Sequence, residues 1–158
     1  MKPLKLEPVY MKCIWAGNRL QKIRNLNEHG FGISREVCAY KGSGNIVAEG
    51  EFAGKNIKEV IENHHEEIMG DDPNTQLIRV AYIDAAEDLS IQVHPNEEYA
   101  QRINDYEKSE SWYVLEADEG AYITAGVDIE DKAILRKAVE DGTLENYVNR
   151  VPVKQGDF

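Results

Sequence analysis

The sequence is poor in the features that mark secreted, membrane and nucleic-acid-binding proteins. It has only two cysteines, Cys13 and Cys38, among 158 residues, too few for a disulfide framework, so we expect a reducing cytoplasm. Its N-terminal residues contain no continuous apolar run like that of a signal peptide or membrane helix. Basic residues number 18 against 29 acidic ones, giving a formal net charge of −11. We therefore expect no nucleic acid and no anionic membrane as partner.

The composition is that of one globular domain. No repeat, low-complexity tract or linker interrupts the chain, and 42% of its residues are hydrophobic, which is enough for a core. The length falls within the roughly 100–200 residues of a typical domain. We predict a single domain over residues 1–158.

Short segments of alternating polarity dominate the sequence and predict strands. Turn signals such as Gly42-Ser43-Gly44-Asn45 separate them. Regularly spaced short strands are typical of a mainly β fold, either a sandwich or a jelly-roll barrel. The predicted strands are Glu36–Tyr40, Ile46–Glu49, Leu77–Ile83, Leu89–His94, Ser111–Leu115 and Ala121–Thr124.

Three helices are predicted beside the strands. The first begins at Asn56 as N-cap and ends at Gly70. The second, shorter helix begins at Asn96. The third runs from Asp128 as cap to Gly142.

The C-terminal residues predict an incomplete domain. Val151-Pro152-Val153 is typical of a strand, and Lys154-Gln155-Gly156-Asp157 is typical of a turn. Such a turn normally leads into a partner strand, yet the chain ends at Phe158. We expect an unpaired edge here, open to self-association or to a second polypeptide.

The segment from Leu89 to Pro95 carries the first candidate site residues. In a strand, Ser90, Gln92 and His94 would share one face. Gln92 and His94 could then both reach a metal inside a barrel. The alternative is an ordinary strand with its polar face in solvent, which this stretch alone favours about two to one.

A second segment changes that balance. Lys108, Glu110 and Trp112 also share a face if a strand begins near Lys108. Beside the first strand, Glu110 would supply an oxygen ligand to the same metal. Histidine nitrogen with carboxylate and amide oxygen suits zinc or another borderline divalent ion. Lys108 would lie at the rim, placed to bind an anion or to move a proton, or else be a solvated surface lysine.

Another group has metal-binding side chains but the wrong spacing. His64 and His65 precede two glutamates, yet adjacent helical residues point about 100° apart. The group also lacks the spacing of a HExxH site. An exposed helix surface explains it better.

The two candidate segments closely resemble motifs of the type I mannose-6-phosphate isomerases. The matching stretches are LSIQVHP with EEYA, and KSESWYVLEA with GAYITAG. Weaker likeness extends over most of the chain. Cys13-Ile14-Trp15-Ala16-Gly17 resembles the family's tryptophan–glycine motif, and Glu36-Val37-Cys38-Ala39 resembles a strand whose tryptophan is missing here.

The resemblance implies a cupin-type jelly roll with added helices and one zinc ion per chain. It also implies an aldose–ketose isomerase that interconverts mannose 6-phosphate and fructose 6-phosphate. By motif position, Gln92, His94 and Glu110 match metal ligands, Ser90 and Lys108 match substrate-site residues, and Lys108 is the catalytic candidate. The family's fourth ligand, a histidine, follows the turn at which this chain ends. A later arginine associated with catalysis and the second cupin half are also missing.

Three functions remain open from the sequence. The first is an isomerase of this family, and the second is a metal or sugar-phosphate binding module without catalysis. The third is an interaction protein completed by a partner strand at the open C-terminal edge.

Overall fold

The computed structural model describes residues 2–40, 42–73 and 77–158. They form two compact units, Met1–Ser90 and Ile91–Phe158. Among these residues there are seven strands and five α-helices, arranged in three small antiparallel sheets with no closed barrel. A mainly β architecture with added helices is therefore confirmed, whereas a closed barrel is not seen in the described part. No helix of that part is long and apolar enough to cross a membrane.

The first unit is organised around one long central strand. Five strands lie in this unit: β1 (Leu6–Glu7), β2 (Val9–Lys12), β3 (Phe31–Val37), β4 (Ile46–Val47) and β5 (Val80–Ile83). The strand β3 pairs antiparallel with both β2 and β5, so that Ser34 lies opposite Tyr10 on one side and Tyr82 on the other. β1 pairs antiparallel with β4 in a separate two-stranded sheet.

The predicted helix after Asn56 is present but broken into two. The side chain of Asn56 accepts a hydrogen bond from the backbone N–H of Lys58 at 2.9 Å, which confirms it as N-cap. The helix α2 (Ile57–Asn63) ends at His64, and α3 (His65–Met69) follows and ends at Gly70. The ring of His64 packs against Phe52, with centroids 4.8 Å apart. This packing explains His64 without a metal.

The core of the first unit lies between α2 and the strands β1 and β4. Its buried members are Ala39, Val47, Phe52, Ile57, Val60 and Ile61. Full burial of one such aliphatic or aromatic side chain stabilises a fold by about 1.5–3 kcal/mol. Among the described residues, this cluster holds six of the eight buried hydrophobic residues of the unit.

A buried carboxylate joins a loop to the end of β5. The side chain of Asp84 is largely buried and accepts a hydrogen bond from the backbone N–H of Leu20 at 2.7 Å. The Gly17 N–H donates to the Asp84 carbonyl at 2.8 Å. A Cβ at Gly17 would lie 2.1 Å from Asp84 Oδ1, so the approach requires glycine. These bonds position α1 (Arg19–Arg24), a helix that the sequence analysis missed.

The second unit contains one antiparallel strand pair, two α-helices and a 3₁₀ turn. They are α4 (Glu97–Arg102), β6 (Tyr122–Val127), α5 (Lys132–Glu140), a 3₁₀ turn (Leu144–Tyr147) and β7 (Val148–Pro152). β6 and β7 pair antiparallel, with Ile123 opposite Val151. Asn96 caps α4 as predicted, because its side chain accepts from the Tyr99 N–H at 2.9 Å.

The predicted cap of the third helix was wrong. Asp128 instead extends the β6–β7 pairing, with its N–H donating to the Tyr147 carbonyl at 2.7 Å. The cap is Asp131, whose side chain accepts from the Ala133 N–H at 2.7 Å. Asp128 and Asp131 both precede a helical pattern, so either could be the N-cap. Because the backbone of Asp128 pairs with Tyr147, Asp131 is the cap.

Two predicted strands are not regular strands. Residues 89–94 and 111–115 have no ladder pairing to a described strand. Most of their apolar side chains are also exposed, with Val93 93% and Tyr113 61% accessible. An alternating pattern yields a strand only where a partner satisfies the backbone and a second layer covers the apolar face.

The core predicts a large difference between two identical substitutions in the first unit. Ile61→Ala should lower the free energy of unfolding by about 2–5 kcal/mol, because Ile61 is fully buried and its truncation leaves a cavity. Ile23→Ala, at a side chain that is 73% exposed, should change it by less than about 0.5 kcal/mol. Urea denaturation of both variants measures the difference, and equal losses would contradict this account of the core.

Candidate functional site

The candidate site lies in the second unit, where two irregular segments are held side by side. The first segment, residues 91–95, leads into the capped helix α4. The second begins at Lys108, whose backbone N–H donates to the Pro95 carbonyl at 3.1 Å. This bond brings the second segment beside His94 without a β-ladder.

Three side chains from these segments meet at one point. The Nε2 of His94 lies 2.8 Å from Glu110 Oε2. The Nζ of Lys108 lies 2.7 Å from the same carboxylate oxygen and 2.9 Å from His94 Nε2. Each of the three polar atoms is thus within hydrogen-bond distance of the other two. We call His94, Lys108 and Glu110 the site cluster.

The second oxygen of the Glu110 carboxylate has a different partner. The indole Nε1–H of Trp112 donates to Glu110 Oε1 at 2.6 Å. Because Trp112 holds Oε1, the carboxylate presents Oε2 to the other members of the cluster. The sequence placed Trp112 on the same face as Glu110 but gave it no function. The two-residue spacing between Glu110 and Trp112 was the signal in the sequence that could have indicated their contact.

Opposing effects act on the Glu110 carboxyl. Burial would raise its pKa, but hydrogen bonds from Lys108 and Trp112, the positive charge of Lys108 and the bond to His94 together lower the pKa below its usual range. The side chain is 29% exposed, so solvent screens these interactions only in part. The carboxylate is ionised at neutral pH and is therefore a competent anionic ligand.

A turn anchors the far end of the second segment. The Val114 N–H donates to the Asp157 carbonyl at 2.9 Å, and the Gly156 N–H donates to the Val114 carbonyl at 2.8 Å. The predicted turn at residues 154–157 is confirmed by the bond from Asp157 N–H to the Lys154 carbonyl at 3.2 Å. Gly156 has φ +90°, a conformation that favours glycine.

The other predicted site residues, Gln92 and Ser90, do not belong to the site cluster. Gln92 is exposed and lies two residues before His94 in the same segment. Ser90 is exposed at the end of the first unit. The structure thus brings together His94, Glu110 and Lys108, while the functions assigned to Gln92 and Ser90 stay predictions.

The chemistry of the cluster fits a divalent metal. His94 and Glu110 provide the nitrogen and oxygen donors that zinc accepts, and the Lys108 ammonium lies against both, where it acts as a stand-in cation. Within the described residues, no group of three or more His, Cys, Asp or Glu side chains is placed to hold a metal. The predicted ligand set contains only two residues of those types, with the amide of Gln92 as its third member.

Comparisons with known proteins place this geometry in context. No family model matches the chain. A mannose-6-phosphate isomerase of Streptococcus mutans is 33% identical over 99% of the chain, and one of Bacillus subtilis is 31% identical over 99%. The crystal structure of a Bacillus subtilis mannose 6-phosphate isomerase matches 99% of the chain with a TM-score of 0.88 and 28% identity. The chain spans about half the length of these relatives, 51% in each case.

The anchoring turn generates a prediction about the second segment. Gly156→Ala places a side chain at a positive φ, which costs roughly 1–2 kcal/mol, and should loosen both bonds to Val114. Hydrogen exchange of the Val114 amide should accelerate several-fold. Gln155→Ala, in the same turn but without the conformational demand, should leave exchange near the wild-type rate. Equal exchange in the two variants would show that the turn does not hold the segment.

Proposed function

Because the chain is a homologue of the mannose-6-phosphate isomerases over nearly its whole length, we propose that it carries the metal-binding part of such an isomerase. The proposed reaction is the interconversion of mannose 6-phosphate and fructose 6-phosphate, a step of carbohydrate metabolism. The proposed fold is of the cupin type. The observation that carries this proposal is the convergence of His94, Lys108 and Glu110 within 2.7–2.9 Å. These residues come from the two segments whose motifs resemble the family.

The proposed cofactor is one zinc ion, for which His94, Glu110 and Gln92 are the ligands. When bound, zinc supplies a Lewis acid for the carbonyl and hydroxyl oxygens of the sugar. Trp112 orients the Glu110 carboxylate by holding its Oε1. That orientation leaves Oε2 directed at the His94 imidazole.

Lys108 is the proposed catalytic and substrate-binding residue. The reaction breaks a C–H bond at one sugar carbon and forms one at its neighbour, while protons move between the attached oxygens. An ammonium beside His94 and Glu110 can donate hydrogen bonds to the anionic oxygens that this proton transfer generates. It can equally bind the substrate's phosphate, and Ser90 is the second proposed substrate contact.

The cytoplasm is the proposed location. Cys13 and Cys38 are both free thiols in the structure, and Cys38 is buried, in agreement with a reducing compartment. A phosphorylated sugar is charged and therefore does not pass passively through a bilayer. Such a substrate stays in the compartment in which it is formed.

Metal content tests the proposed centre. Protein purified without chelator and supplied with zinc should retain about one equivalent per chain, measured by elemental mass spectrometry after desalting. His94→Ala should bind zinc at least roughly tenfold more weakly, because even the loss of a residue that only hydrogen-bonds to a zinc ligand costs about 10–100-fold in affinity. His29→Ala, at an exposed histidine outside the cluster, should bind like wild type. Equal zinc binding by the two variants would reject the site.

An activity assay separates catalysis from binding. Mannose 6-phosphate conversion by folded, zinc-loaded chain would support an isomerase. Zinc bound through His94 without turnover would instead support the binding-module function for this chain.

A specific observation favours the third function, an interaction surface. The buried hydrophobic residues of the second unit are only Ala100 and Ala138, whereas larger apolar side chains are exposed, among them Val93 at 93% and Val151 of β7 at 44%. Exposed apolar surface of this kind is typical of a face that contacts other protein. Self-association through β7 and the C-terminal residues is the form we propose.

Light scattering at increasing concentration tests that surface. The weight-average mass should rise above that of one 17.9 kDa chain, and Val151→Ser should lower the association because it removes an exposed apolar group of β7. Ile14→Ser, at an exposed side chain in the first unit, is the control. A chain that stays monomeric at every concentration would contradict self-association.

A further inference from the structure

Lys108 lies on the two atoms that the proposed function assigns to a metal. Its Nζ is 2.7 Å from Glu110 Oε2 and 2.9 Å from His94 Nε2. The lysine therefore does not stand at the edge of an open site. It occupies the donors themselves.

The contact differs from the other lysine–carboxylate pairs of the described residues in its combination of partial burial and short distance, since Lys58, which is 34% exposed, lies 3.7 Å from Glu62. In the pairs Lys12–Glu28, Lys137–Asp141 and Lys154–Asp157, the lysine side chains are 60–83% exposed. The Lys108 side chain is 38% exposed, and its backbone N–H is tied to the Pro95 carbonyl. Ordering this side chain has a smaller entropic cost than ordering a free surface lysine, and solvent screens the pair less.

His94 Nε2 can make only one hydrogen bond at a time, so a bond to Lys108 and a bond to Glu110 exclude each other. A neutral imidazole nitrogen has either one N–H or one lone pair, and never both. His94 Nε2 therefore either accepts from Lys108 or donates to Glu110. In both states the nitrogen is engaged, and coordination of a metal requires that this bond be given up.

We propose that Lys108 is the resident counter-ion of the site and that a divalent metal exchanges with it. In the metal-free chain, the ammonium neutralises Glu110 and holds the carboxylate beside His94. Metal binding at His94 and Glu110 displaces the ammonium, which then becomes available to an anion. The inference rests on the proposed zinc centre and adds a function for Lys108 in the metal-free chain.

The exchange couples two binding events. An ammonium bound to Glu110 is a poor partner for an external anion, because that anion must compete with a carboxylate already in contact. Once the metal takes over the charge of Glu110, Lys108 no longer has that competitor. Metal loading should therefore strengthen anion binding, and by linkage an anion should strengthen metal binding.

Zinc affinity of lysine variants is the first test. In competition with a chromogenic chelator, Lys108→Met should bind zinc roughly three- to tenfold more tightly than wild type, since it removes both the competitor and a like charge. Lys137→Met removes a lysine paired with Asp141 on α5, and should bind zinc within about twofold of wild type. Unchanged or weaker binding by Lys108→Met would overturn the proposal.

A second measurement uses the wild-type chain, so it does not depend on how the variant folds. The rate of Lys108 acetylation, resolved by peptide mass spectrometry at one fixed pH, should rise several-fold on zinc saturation. The rates at Lys137 and Lys154 should stay constant. Zinc bound through His94 with no change at Lys108 would overturn the exchange alone, whereas zinc binding that ignores His94 would reject the proposed centre itself.

Discussion

The site depends on how one carboxylate is shared. Glu110 receives Trp112 at Oε1 and both Lys108 and His94 at Oε2, so each oxygen has a separate function. If the indole bond were absent, the carboxylate could rotate and offer either oxygen. The tryptophan thus defines which atom faces the imidazole, and the rest of the cluster follows from that orientation.

The segments that carry this cluster are held by individual hydrogen bonds, unlike the strands of the first unit. In the first unit, position is fixed by a ladder on both sides of β3 and by the buried cluster of Val47, Val60 and Ile61. In the second, the site segments are tied by the Lys108–Pro95 bond and by the bonds of Val114 to the C-terminal turn. Isolated bonds with little buried apolar surface open at a lower free energy than a core does. The interactions within the site cluster therefore contribute to the order of the segments that carry it.

Local sequence signals predicted what is decided locally. Asn56 and Asn96 are both helix caps because a side-chain acceptor next to a helical pattern needs no distant partner. The spacing of Lys108, Glu110 and Trp112 placed them on one side even though no regular strand forms. His94 and Glu110 meet as the paired motifs indicated, and the resemblance to a family of isomerases agreed with relatives that match 99% of the chain.

The sequence analysis was wrong where the local structure depends on contacts with a distant segment. The strand β3 begins at Phe31, five residues before the predicted start, because Gly30 and Gly32 interrupt the alternating pattern. Gly32 is there for a tertiary reason, since a Cβ would lie 2.5 Å from the Trp15 ring. Asp128 resembled a helix N-cap in the sequence, but its backbone N–H donates to the Tyr147 carbonyl instead. Each error lies where a contact made elsewhere in the chain overrides the local pattern.

A lysine in contact with the two proposed metal donors would have two opposing effects on a metal centre there. Its charge offsets the burial of Glu110 and helps to lower the pKa of that carboxyl, which keeps the group in the ionised form that a metal requires. The same contact occupies the atoms that the proposed metal would have to reach. A neutral residue at position 108 would remove that contact, but it would also remove one of the interactions that keep Glu110 ionised and beside His94. On the proposed function, Lys108 would therefore lower metal affinity while it keeps the two donors in place.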